Sequence, residues 1–317
     1  MSMQKWWKGL LLMAGAASAA TAGGTAYFYR RVMKRNRMKV EDTMKMSGTD
    51  WSRYADLLKE RKAWMMSQPH EEAEIMSEDG LKLHGTFFPG TGGAKKLAIC
   101  LHGYTSQGMS DYVGLSDYYL KRGYAMLLPD ARAHGKSEGE YVGFGCLDRR
   151  DLMRWIDWAV KRCTDEVQIL LHGTSMGGAT VLMASGLALP GQIKGIISDC
   201  GFTSAKEVFS HVLRSWYHLP AFPMIQIADC VNRKRAGYGL DECNAKREVR
   251  KAKIPILLIH GEKDNFVPCY MCREIYSNCK SPAKMVIIKD AAHGESYYRD
   301  TEQYEEAMTE FIGGVIR

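Results

Sequence analysis

The chain has 317 residues, 46% of them hydrophobic, enough to bury a substantial core as one large domain or two. Its net charge of +7 does not belong to the body: residues 1–39 hold eight of the 43 basic residues and no acid, so the remaining 35 against 36 acids leave −1. That near-neutral body argues against nucleic-acid binding, which needs a basic face on the domain itself. Nine cysteines, an odd number without regular spacing, argue against a disulfide framework. The lone Cys269-Tyr270-Met271-Cys272 pair lacks the four ligands of a structural zinc site and reads as packing positions on a helix; no metal or organic cofactor is expected.

Residues 9–29, GLLLMAGAASAATAGGTAYFY, carry no charge and are long enough to cross a bilayer as a helix, which needs about 20 residues. The run continues past Ala17-Ser18-Ala19, where a signal peptide would be cut, to the aromatic residues Tyr27-Phe28-Tyr29 and a basic cluster from Arg30. Residues 1–39 therefore read as a single-pass membrane anchor with a basic flank, a cleaved signal being the alternative. The heavier basic flank after the run favours a cytoplasmic body over an extracytoplasmic one. Residues 40–70 read as a linker and then an amphipathic helix, with Trp51, Tyr54, Leu57, Leu58 and Trp64 near helical spacing.

From Glu72 strands and helices alternate, which predicts an α/β fold over residues 71–317. Glu72–Ser77 and Leu81–Phe88 flank Glu78-Asp79-Gly80 as a hairpin. Lys96–Leu101 and Tyr124–Leu128 are buried strands around a helix at Asp111–Arg122. A polar loop, Asp130–Gly145, leads to a helix over Leu147–Lys161 with Leu152, Trp155, Ile156 and Ala159 on one face. Strands follow at Val167–Leu171, Ile193–Ser198, Ile254–His260 and Lys284–Ile288, and a helix closes the chain at Thr301–Val315.

The stretch Gln168 to Thr180 carries the chemistry. A strand runs into Gly173-Thr174-Ser175-Met176-Gly177 and out into a small-residue helix, leaving Ser175 at the tip of a tight elbow that the glycines on either side permit. Chance supplies roughly 0.1 such five-residue matches in a chain of this length, so the pattern needs partners. A serine hydroxyl requires a base, and the base an acid to fix its tautomer. Asp264 follows the strand Ile256–His260, and His293 follows the strand Lys284–Ile288. Both stand at the carboxyl ends of strands, where open α/β sheets bind ligands, and in the order serine, acid, histidine. Asp199, after the strand that follows the elbow, is the runner-up acid, and Glu262 ranks behind it. The oxyanion formed on attack needs backbone donors: the amide of Met176 at the start of the helix, and that of Tyr104 in the loop after Lys96–Leu101.

Five motifs in order, Leu101-His102-Gly103-Tyr104, Asp130-x-Arg132-x-His134-Gly135-x-Ser137, Gly173-Thr174-Ser175-Met176-Gly177, Ile259-His260-Gly261-x-x-Asp264-x-x-Val267-Pro268 and Ala292-His293, resemble the α/β-hydrolase superfamily. The branch they resemble is that of bacterial serine hydrolases related to serine aminopeptidases and monoacylglycerol lipases. The family usually has glycine where Ala133 stands. The resemblance implies a mostly parallel eight-stranded sheet flanked by helices, its first two strands antiparallel. It also implies a helical lid over about residues 205–250, whose Trp216 and Phe222 are candidate substrate-binding residues. The expected activity is hydrolysis of a small, uncharged carboxylic ester, hydrophobic ones included, through an acyl-enzyme on Ser175. A peptidase or amidase with the same triad is the first alternative, and a non-catalytic ligand-binding homologue the second.

Overall fold

A computed structural model describes residues 21–35, 49–91 and 95–317. Its centre is one eight-stranded sheet: β1 (Glu71–Met76), β2 (Lys82–Phe88), β3 (Lys96–Leu101), β4 (Ala125–Pro129), β5 (Gln168–Thr174), β6 (Ile193–Asp199), β7 (Ile256–Gly261) and β8 (Ala283–Ile288), in the order β1-β2-β4-β3-β5-β6-β7-β8. The hairpin β1–β2 is antiparallel, as is β2 against β4. From β4 onward all pairs are parallel. The inner strands read as continuous apolar runs because both faces are covered. Leu97, Ile99, Ile169 and Leu171 point into one core layer, while Ala98, Cys100 and Leu170, one residue out of phase, point into the other. The first layer is closed by helices Asp148–Arg162, Met176–Ala184 and Cys269–Asn278. The second is closed by Ser116–Lys121 and Thr301–Val315.

The helix expected over Asp111–Arg122 is two short pieces, Gly108–Asp111 and Ser116–Lys121. Between them the fully buried Tyr112 turns its hydroxyl inward to donate to the carbonyls of Leu101 and His172. The pair Cys269 and Cys272 lies on the helix Cys269–Asn278, with Cys272 in the core. Before the sheet, a 3-10 turn (Trp51–Tyr54) leads into the helix Ala55–Ser67. That helix packs through Leu58, Trp64 and Met65, whereas Leu57 faces solvent.

The reading of residues 9–29 as a single-pass anchor is corrected. Residues 9–20 and the linker residues 40–48 lie outside the described residues. Residues 21–33 form a helix, and among the described residues no helix is long and apolar enough to cross a membrane. The helix over 21–33 lies along the body instead. Thr25, Tyr29 and Met33, four apart and so on one face, are buried. The Tyr29 hydroxyl donates to Asn232, itself fully buried, and Phe28, expected at a membrane interface, packs edge-on to Tyr217 at 4.7 Å. Only one face of the segment is covered, and what covers it is protein: Ala22, Gly23, Ala26 and Tyr27 on the other side are exposed. The single-pass membrane localisation is thereby corrected, and the membrane as a partner through residues 9–29 has no support among the described residues.

Candidate active site

The parallel strands end on one edge of the sheet, and the sequence-predicted residues gather there. β5 runs directly into Ser175, which adopts φ +54° and ψ −111° before the helix Met176–Ala184 begins. A non-glycine residue in that region is strained, and the surroundings hold it there. A Cβ on Gly173 would collide with the carbonyl of Gly177, and one on Gly177 with the carbonyl of Leu101. The two glycines thus let strand and helix cross close enough to thrust Ser175 outward.

The turn after β7 presents Asp264, and the loop after β8 presents His293. The structure brings both to Ser175. Asp264 Oδ2 accepts from His293 Nδ1 at 2.7 Å, which leaves Nε2 to accept the Ser175 hydroxyl at 2.8 Å. All three side chains are buried. The other oxygen of Asp264 accepts the amides of Phe266 and Val267 at 2.9 and 2.8 Å. His260, beneath it, donates from Nε2 to the Val267 carbonyl and lies 3.3 Å from Asp264 Oδ2. Burial pushes the Asp264 carboxyl up, but the charge of His293 and the hydrogen bonds from His260 and His293 outweigh it and hold Asp264 well below the usual carboxylate range. Asp199 stands apart from this chain of bonds. It accepts from Tyr304, and burial pushes its carboxyl up to about 6. Glu262 caps the Asp290 amide at the surface.

Met176 opens its helix, where first-turn amides have no intrahelical acceptor. The loop carrying Tyr104 passes so near Ser175 that a Cβ on Gly103 would stand 3.3 Å from the serine Cβ. The amides flanking that of Tyr104 are committed: Gly103 N–H donates to Asp111 at 2.6 Å and Thr105 N–H to His134 Nε2 at 3.1 Å. His134 is a buried, neutral acceptor here. Burial and the neighbouring His102 lower its pKa to about 3, while its Nδ1 donates to the Arg132 carbonyl. His102 likewise accepts the Ala131 amide at Nε2. Sequence reasoning quoted both histidines as motif residues without assigning them a role, and missed Asp111. The motif His134-Gly135-x-Ser137 was the available signal for His134, whereas nothing local pointed to Asp111.

Above Ser175 lies an apolar cavity of about 150 Å³. Trp216 lines it and stacks edge-on to Phe266, which packs at 4.9 Å against the ring of His293. Phe222 does not line it. Held between Pro220 and Pro223 in the connection from helix Ala205–Ser215 to helix Met224–Arg235, it is 71% exposed. Phe28 and Val32 of the N-terminal helix stand on the cavity wall instead. Among the described residues, the donor atoms of Cys200, Asp264 and His293 lie within 4.8 Å of one another. Two of them are already bonded to each other, and burial drives the Cys200 thiol up, away from the thiolate a metal requires.

A strained serine between a parallel strand and a helix, at the carboxyl edge of this sheet, defines the class: the chain is a serine hydrolase of the α/β-hydrolase fold. Residues 115–317 match the prolyl oligopeptidase family, Peptidase_S9, and the chain belongs to it. The uncharacterised protein YqkD of Bacillus subtilis (strain 168) is 28% identical over 218 residues, 68% of this chain and 70% of its own. The AB hydrolase superfamily protein YisY of the same organism is 22% identical over 268 residues, 72% of this chain and 96% of that one. Among solved structures, the Pyrococcus furiosus esterase Pf2001 superposes with a TM-score of 0.64 at 25% identity, covering 80% of this chain and 95% of that one. The Pyrococcus horikoshii acylaminoacyl peptidase shares the fold at a TM-score of 0.57 and 18% identity, over 79% of this chain and 43% of that one.

Proposed function

We propose that this hydrolase cleaves a carboxylic ester through an acyl-enzyme on Ser175. The carrying observation is the unbroken line of hydrogen bonds from Asp264 through His293 to Ser175 at the foot of an apolar cavity. His293 takes the hydroxyl proton as Ser175 Oγ attacks the ester carbonyl, and the amides of Met176 and Tyr104 receive the oxyanion. The alcohol leaves with the proton held by His293. Water, deprotonated by the same imidazole, then releases the acid and frees Ser175.

An ester is favoured over a peptide by the cavity lining. Among the described residues that line it none is acidic, so an α-ammonium group would find no counter-charge there. The esterase Pf2001 supports the same reading; the family name keeps an amide substrate as the competing one. Trp216 and Phe266 contribute to substrate binding. The test is labelling by a fluorophosphonate, with hydrolysis of p-nitrophenyl acyl esters measured beside aminoacyl p-nitroanilides. Labelling that Ser175→Ala abolishes, with ester turnover dominant, is expected. Labelling that survives Ser175→Ala would end the assignment of the nucleophile, and dominant amide turnover would end the ester reading.

A further inference from the structure

We infer that the helix over residues 21–33 is a wall of the acyl pocket, and that Phe28 and Val32 on it set how long an acyl chain the pocket admits. The inference rests on the ester reading and deepens it. No motif of the catalytic body pointed to this segment, because it lies some 140 residues before Ser175 in the chain and meets it only in the folded state.

Thr25, Tyr29 and Met33 line the cavity as well as Phe28 and Val32, and the helix face has a second task. Tyr29 and Met33 fasten it to the body. Tyr29 donates to buried Asn232, the Met33 carbonyl accepts the Val142 amide at 2.8 Å, and two residues on the Arg35 amide donates to the Glu140 carbonyl at 2.7 Å. Phe28 and Val32, one turn apart, keep partial exposure and border the same cavity as Ser175. Opposite them the lid helix Ala205–Ser215 brings Phe209 and Val212. Phe28 is braced by the ring of Tyr217, so its side chain is a fixed boundary rather than a loose one.

The size of the space follows. A cavity of about 150 Å³ with an apolar lining accommodates a benzene-sized guest, on the order of six carbons. Replacing Phe28 by alanine removes one such ring from the wall and opens room for a chain of on the order of twelve carbons. Each methylene newly buried in the acyl-transfer transition state raises kcat/KM about fourfold. Replacing Val32 by tryptophan fills the space and works in the opposite direction.

The experiment measures kcat/KM for p-nitrophenyl esters from acetyl to dodecanoyl, on the full chain and on Phe28→Ala and Val32→Trp, each checked for folding by its melting curve. Phe28→Ala is expected to raise the decanoyl-to-butyryl ratio at least tenfold, and Val32→Trp to lower the octanoyl-to-butyryl ratio by about as much. A merely structural helix would change all esters in parallel. Ratios that stay within twofold of the parent in the folded variants overturn this inference alone. A parent protein that turns over no ester overturns the ester reading and this inference with it.

Discussion

The pair Asp264–His293 gives the sharpest prediction, because the fold dictates which way an amide would sit in place of the carboxylate. One oxygen of Asp264 accepts two backbone amides, from Phe266 and Val267, and the other accepts from His293 Nδ1 at 2.7 Å. In Asp264→Asn the side-chain oxygen must keep the two amides. The flipped orientation would set its NH2 against two buried N–H donors at about 1–3 kcal/mol each. The NH2 therefore faces His293, whose Nδ1 must become the acceptor. The ring proton moves to Nε2, 2.8 Å from the Ser175 oxygen, where it opposes removal of the serine proton. Reversal of the tautomer lowers kcat by about 10⁴, or roughly 5 kcal/mol of transition-state stabilisation. The assay is kcat for p-nitrophenyl butyrate on purified Asp264→Asn, with a melting curve to show that the variant folds. A folded variant whose kcat stays within tenfold of the parent would refute the argument, and Asp199 would then be tested as the acid.

Two further substitutions probe buried charge. Asp199 has a folded pKa of about 6 against an ordinary value of 3.8, raised by burial. The penalty on its ionised form therefore grows as pH rises from about 3.8, where the unfolded group ionises, to about 6, where the folded one does; it is complete above that and vanishes well below 3.8, where both states are protonated. Asp199→Asn should add up to about 3 kcal/mol of stability at pH 8 and only about 0.6 kcal/mol at pH 4, read from urea unfolding at the two pH values. An equal gain at both would show that charge is not the cause. Arg132 is buried and forked onto both Asp151, also buried, and Asp79, which is open to solvent. Arg132→Met should cost about 3–5 kcal/mol by leaving Asp151 without its cation. The double variant with Asp151→Leu should recover most of the loss, and a double variant no more stable than the single one would contradict this.

The sheet was legible because its inner strands are buried on both faces and so read as unbroken apolar runs bounded by turns. The elbow was legible because Gly173 and Gly177 stand where backbone approaches backbone and no side chain fits. Asp264 and His293 could be found since each follows a strand that must end on the same edge. What failed shares one cause: apolarity says that a residue is buried, not what buries it. In the helix over 21–33 the residues that are covered, Thr25, Tyr29 and Met33, are covered by protein. The same ambiguity put Phe222 in the pocket and left Phe28 out of it. Asp111 was invisible for a different reason. It holds the Gly103 amide from the end of a short helix that the sequence did not separate, and the next residue, Tyr112, donates its hydroxyl to two strand carbonyls.

The residues before the sheet also reach the loops that carry the proposed chemistry, at two separate points. The Tyr104 hydroxyl donates to the Val32 carbonyl at 3.0 Å, so the helix on the cavity wall also braces the loop that carries the proposed oxyanion donor. Thr49 donates to the His293 carbonyl at 2.7 Å, and Tyr54 to Glu295, which in turn accepts the Ala292 amide. Each bond is modest, about 1 kcal/mol net. Their effect lies in geometry, since misplacement of a reacting group by about 1 Å costs on the order of 10²-fold in rate. The N-terminal segments therefore do more than cover the body: one touches the cavity and the Tyr104 loop, the other the His293 loop, so the spacing between the proposed base and oxyanion donors is expected to depend on both.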